Sequence, residues 1–345
     1  MRWKLGFRIA ISLAVLGSLL LLLPWGEVRG AASRLPGLVW LGVLGGFLAG
    51  HRLGAAKWRL MVNVGRAGLR PRQALRCYAS GLFANLCLPS IVGGDVLRAA
   101  MAGRATGRPE AAVLGGIGDR LSDVAALALL LGAGALLAQG ALPDWGGAAA
   151  MAAALVGLGG GALLVRMLAR RRLSEWPRRL RCPIGRSLVA ARRLARHPGA
   201  AGLALLISLA MQSGFVLLNA WIGRSIGIML PVGVWFLAWP LAKLAGLLPV
   251  SLGGLGIRDA TLGAILAPMG VPLASGVVAS LIWQSVLIAG GLVAGGIALL
   301  LRGPARGRFT RSGSEGVGEA GPLGGTVDPS ETVVSPLGGA SDPLG

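Results

Sequence analysis

The run Leu88-Pro89-Ser90-Ile91-Val92-Gly93-Gly94-Asp95-Val96-Leu97-Arg98 returns 160 residues later as Leu248-Pro249-Val250-Ser251-Leu252-Gly253-Gly254-Leu255-Gly256-Ile257-Arg258. Leu-Pro, Gly-Gly and Arg keep their spacing. Each copy interrupts an apolar stretch that proline and glycine prevent from being one straight helix. The first stretch, 74–98, starts beside basic residues, and the loop after it, with Arg104 and Arg108, is basic too. The chain must therefore enter the membrane there and return to the same side. The second, 232–265, also carries Pro240. It leaves a sparsely charged loop near Arg224 and is back on that side near Gly270. It is either a hairpin entering from the opposite face or two short spans meeting at Arg258.

Outward from these breaks, apolar runs alternate with basic loops. The chain has 345 residues, of which 54% are hydrophobic and only 14% charged, yet its net charge is +21. A span takes about 20 apolar residues. Runs at 9–23, 36–55, 111–137, 147–168, 200–222 and 273–301 qualify or come close. Gly30-Ala31-Ala32 looks like a signal-peptide cleavage site, but ahead of so many later spans an uncleaved first helix is expected. Arg and Lys gather before the first run, at 52–76, at 170–196 and after 301, whereas the loops near Glu27, Asp144, Arg224 and Gly270 are nearly free of them. The positive-inside rule then places the chain in the cell's inner (cytoplasmic) membrane with both termini cytoplasmic. Trp25, Trp145, Trp221 and Trp235 fall near the opposite boundary, where indoles favour the interface.

The halves, about 1–140 and 147–302, each read as span, span, broken hairpin, span, and they start on opposite sides. That is an inverted-topology repeat, in which paired Gly/Pro-interrupted segments mark the binding site. The predicted fold is an all-α integral membrane domain over 1–302, with six full spans plus two broken, re-entrant hairpins. Residues 303–345 turn Gly/Ser/Pro/Glu-rich and read as a disordered cytoplasmic tail.

The basic patches lie between spans, which argues against a nucleic-acid partner. Cys77, Cys87 and Cys182 show no paired spacing, so neither a disulfide framework nor a zinc site is expected, and no cofactor is indicated. His51 and His197 lie in basic stretches and read as surface or interfacial residues.

Broken helices leave backbone groups unpaired, which hydrocarbon tolerates only where they are buried in protein or line a wet cavity. Successive glycines such as Gly93-Gly94 and Gly253-Gly254 let amide N–H groups converge on an anion. Arg98 and Arg258, each four residues after its Gly-Gly pair, add a planar fork suited to phosphate oxygens. No GK[ST] follows the glycines, so a nucleotide P-loop is excluded. Asn85, four residues before Pro89, is placed to cap carbonyls freed by that proline. Asp119 and Asp123 are i and i+4 around Arg120, hence on one helix face. Ionisable groups at a span are functional candidates, although local pairing with Arg120 at the interface explains them equally well. Lys243 either snorkels to the interface or lines the cavity.

Lys57-Trp58-Arg59, then Tyr78-Ala79-Ser80-Gly81-Leu82-Phe83-Ala84-Asn85 and Leu88-Pro89 through Gly93-Gly94-Asp95 to Arg98, resemble the flippase-like membrane domain of lysylphosphatidylglycerol synthases. Gly118-Asp119-Arg120-Leu121-Ser122-Asp123 is similar to that family's acidic-Arg motif. Ser251 and Gly253-Gly254-Leu255-Gly256-Ile257-Arg258-Asp259 are similar to its second signature, with Asp259 where Glu is more usual. The resemblance spans about 1–302 and implies lipid translocation between leaflets. The partner would be a membrane phospholipid or a prenyl-phosphate lipid. The headgroup phosphate would meet Arg98, Arg258 and the Gly-Gly amides, with Asn85 and Ser251 beside them. Asp95, Asp119, Asp123 and Asp259 would orient the arginines or carry protons. Only the polar tail follows Leu301, so the aminoacyl transfer of the full-length synthases is not expected.

Two other readings compete. A membrane enzyme acting on a lipid phosphate or glycolipid needs a nucleophile or base near the breaks, and both histidines are far from them in sequence. A small-anion transporter or a helper subunit of an envelope-synthesis complex would need neither. The expected activity is therefore transport and not catalysis.

Overall fold

The structure, a computed structural model, describes residues 30, 33–87, 93–138, 196–246 and 257–302, all within the compact unit Met1–Gly303. The expected spans at 9–23 and 147–168, the Leu-Pro steps of both breaks, Ser251, Gly253, Gly254 and the tail lie outside the described residues.

Among the described residues there are eight α-helices and no strand. In chain order they are α1 (Gly37–Val64), α2 (Pro71–Cys87), α3 (Gly93–Thr106), α4 (Pro109–Leu137), α5 (Pro198–Ser225), α6 (Val232–Gly246), α7 (Ile257–Leu266) and α8 (Leu273–Leu300), with one 3-10 turn, Ala267–Met269, after α7. Helices α1, α4, α5 and α8 are long and apolar enough to cross a membrane. They carry exposed leucines such as Leu38, Leu41, Leu136, Leu206, Leu292 and Leu300. So much outward apolar surface suits hydrocarbon and not water. The chain is a helical, multi-pass membrane protein.

Proline sets several starts. Pro109 and Pro198 occupy the first helical position of α4 and α5, where a missing N–H costs nothing. The connector from α1 to α2 is tied back on itself: Leu69 N–H donates to Asn63 Oδ1 at 2.8 Å, and Arg59 Nε donates to Leu69 O at 2.8 Å. Arg66 takes a φ of 58° in that turn.

Two boundaries differ from the sequence expectation. Helix α1 continues past Ala55 to Val64, taking Lys57 inside with it. Helix α6 runs through Pro240 without ending. Proline removes one hydrogen bond there, but the tight packing of α6 on α4 and α5 holds the helix together.

Small residues decide how the helices meet. Gly42, Gly46, Gly50 and Gly54 form a stripe along α1, and against it lie Trp221, Leu218, Phe215 and Met211 of α5. This is the small-xxx-small contact by which membrane helices approach closely. On α4, Gly134 faces the backbone of Phe236 and Leu237, and Leu137 faces Gly233, so α4 and α6 run antiparallel. Helix α2 meets α8 through Phe83 on Gly295 and Leu86 on Gly291. The short helices α2 and α6 thus lean on the long helices α8 and α4.

Trp235 is fully buried within the protein, with its ring on Gly223 of α5. Trp221 is 42% exposed, as an interfacial indole would be. Trp25 and Trp145 lie outside the described residues.

Candidate functional site

Gly93 and Gly94 both lie within α3 as far as it is described, so this glycine pair is helical. The pair serves a close crossing. A β-carbon on Gly94 would meet Gly81 O, and one on Gly81 would lie 2.8 Å from Gly94 O. Asn85 Oδ1 accepts the Gly94 N–H at 3.0 Å. Asn85 therefore caps an N–H in the first described turn of α3, and the proline break itself lies outside the described residues.

That crossing aims Arg98 inward. The residue is 4% exposed, and its guanidinium lies 5.2 Å from the Trp58 ring centroid and 5.1 Å from that of Tyr78. Nη2 pairs with Asp119 at 2.8 Å and Asp95 at 3.1 Å. Nε is buried with no hydrogen-bond partner among the described residues. Asp119 and Asp123 share one face of α4, and both pair with Lys57 of α1, whose Nζ stands 3.0 Å from Asp119 Oδ1. Ser208 of α5 completes the cluster, accepting from Lys57 at 2.8 Å and donating to Asp123 at 2.9 Å. Arg120 does not pair with its neighbours in sequence; it reaches across to Asp95, with Nε 2.7 Å from Oδ2. Three cations and three carboxylates cancel in this network, which is how ionic groups survive burial.

A second buried arginine stands on α7. Arg258, near the start of α7, is 8% exposed, and its guanidinium lies 5.9 Å from the Trp239 centroid. Nη2 donates to Asp259 Oδ1 at 2.8 Å and to Gln284 Oε1 of α8 at 3.1 Å. Ser280 also donates to Asp259.

The two arginine centres are joined through the middle of the bundle by rings. Tyr78 meets His51 at 6.0 Å, His51 meets Phe215 at 5.3 Å, Phe215 meets Trp283 at 5.8 Å, and Trp283 meets Trp239 at 5.2 Å. His51 is thus not a surface residue; its Nδ1 lies 3.3 Å from the Tyr78 hydroxyl. His197, ahead of α5, is exposed as expected. Lys243 turns inward: Nζ donates to Gln212 Oε1 at 2.7 Å and sits 5.6 Å from the Phe215 centroid. Among the described residues, no three His, Cys, Asp or Glu converge as a metal site would need.

Sequence reasoning missed Lys57, Ser208, Gln212, Ser280 and Gln284. A signal existed. Ser280 and Gln284 stand 161 residues after Asp119 and Asp123, at the same i, i+4 spacing, and Trp239 stands 161 after Tyr78. The polar pairs on α4 and α8 share that spacing, one charged and one neutral.

A family model described as the lysylphosphatidylglycerol synthase TM region matches residues 7–295. No curated protein and no solved structure matches the chain.

Proposed function

The chain belongs to the lysylphosphatidylglycerol synthase TM-region family, and from that premise we propose that it moves a phosphate-bearing lipid between the leaflets of the inner membrane, with both termini cytoplasmic. The headgroup passes between the two hairpins, along 85–98 and 251–259, while the acyl or prenyl chains stay in the bilayer. No chemical step is part of the proposal. The carrying observation is the pair of buried arginine centres, one on each hairpin, linked by rings across the bundle. Ionisable groups inside a membrane bundle are costly and mark pathways.

The order of elements supports re-entrant hairpins: α2 and α3 flank the first Pro/Gly break, and α6 and α7 flank the second. The order of lengths supports the repeat: 28, 17, 14 and 29 residues in the first half, 28, 15, 10 and 28 in the second. In this reading Asp95, Asp119, Asp123 and Asp259 orient the arginines, and Arg98 Nε offers a donor to the passing phosphate.

The test is the purified chain in vesicles with leaflet-labelled lipid, where protein-dependent loss of asymmetry is expected. Vesicles that keep their asymmetry would overturn the proposal. Arg98→Lys and Arg258→Lys are each expected to slow transport about tenfold or more, nearly as much as the alanine variants. Lysine keeps the charge but lacks both the Nε donor and the flat guanidinium that stacks on Tyr78 or Trp239. Arg224→Lys, on an exposed residue, is the control.

A further inference from the structure

The ionic groups of the site do not balance everywhere. Around Arg98 the described charges cancel, and Arg258 is matched by Asp259. Lys243 stands between the two sets. The α4–α6 register places it opposite Leu127, about one helical turn from Asp123. Asp123, Arg120, Lys57 and Arg258 are all within its electrostatic reach. Yet its described polar partner is the neutral amide oxygen of Gln212, with the face of Phe215 beside it, and no carboxylate lies at ion-pair distance among the described residues. Counted over the described residues, an ammonium so placed carries one positive charge more than its neighbours offset, and a single negative charge brought beside it gains what desolvation has cost.

Resting on the transport reading above, we propose that Lys243 holds the phosphate of the carried lipid and that its one unmatched charge selects a headgroup of net charge −1. The arginines are already neutralised by carboxylates. They supply donors and shape, but no net attraction for an anion. Lys243 is the group whose charge is free to be matched. A phosphodiester fits that balance. A zwitterionic headgroup brings its own ammonium into the same space, and a phosphate monoester brings a second charge with no cation to meet it. Gln212 holds the Lys243 ammonium on the inward side, and Phe215 walls it from hydrocarbon.

Binding to the full chain is measured with phosphatidylglycerol, phosphatidylcholine and phosphatidic acid in detergent micelles, and with inorganic phosphate alone. The unaltered protein is expected to favour phosphatidylglycerol over phosphatidylcholine about tenfold or more, the worth of one charge-assisted hydrogen bond. Lys243→Gln should erase that preference, and Lys243→Arg should keep most of it. Arg224→Gln should leave it unchanged. Equal affinity of the unaltered protein for the two lipids overturns the proposal without any variant. So does a preference that survives Lys243→Gln, or binding of inorganic phosphate as tight as that of phosphatidylglycerol, which would make the ligand a free anion. If phosphatidylglycerol binds through Lys243 but never changes leaflet in vesicles, the site stands and the transport reading falls.

Discussion

Lys57→Ala is expected to cost the fold about 3–5 kcal/mol, the usual penalty for removing one partner of a buried ion pair. Lys57 is 1% exposed and pairs with both Asp119 and Asp123. Without it, Asp119 keeps Arg98, but among the described residues Asp123 keeps only the Ser208 hydroxyl at hydrogen-bond distance. Two carboxylates one turn apart then repel each other. Against a net stability of about 5–15 kcal/mol, such a loss removes much of the folded protein. Thermal unfolding of the detergent-solubilised chain is the measurement. Asp123→Asn in the same chain should recover part of the loss, because it removes the stranded charge. A midpoint unchanged by Lys57→Ala would mean that the three-helix junction of α1, α4 and α5 does not depend on this pair.

Gly94→Ala is expected to be comparably damaging although it adds one carbon. That carbon would overlap both Gly81 O and Asn85 Oδ1. Neither neighbour can step aside cheaply, since one is helix backbone and the other is holding the Gly94 N–H. The α2–α3 crossing has to open, the cap is lost, and Arg98 moves off Tyr78. Overpacking of this kind costs about 1–3 kcal/mol, and the broken cap adds about 1 more. Gly116→Ala is the control, because nothing lies within 4 Å of its added β-carbon. Equal expression and equal unfolding midpoints for the two variants would remove the close crossing as a structural requirement. A Gly94→Ala protein that folds at lowered stability should also transport poorly, since the position of Arg98 depends on this contact.

The long helices were legible in the sequence because a bilayer imposes a simple rule on composition: about 20 apolar residues with charge only at the ends. That rule placed α1, α4, α5 and α8, and the matched Leu-Pro, Gly-Gly and Arg spacing picked out Arg98 and Arg258. Positions 88 and 89, 251, 253 and 254 lie outside the described residues, so the two breaks themselves stand as sequence readings. The same rule misplaced Lys57, which looked like a loop residue because a cation in hydrocarbon is costly, and His51, at the end of the 36–55 run, read as surface or interfacial. What makes them affordable lies far away in the chain: Asp119 and Asp123 are more than 60 residues from Lys57, and Phe215 is farther still from His51. Periodicity reports what one helix hides from its own surroundings and cannot report which other helix supplies the partner. Sequence alone determined that the chain crosses the membrane, through the composition of its long apolar runs. Only the tertiary structure decided that the arginines are neutralised in place and that Lys243 is left with its charge unmatched among the described residues, because charge balance depends on which side chains meet.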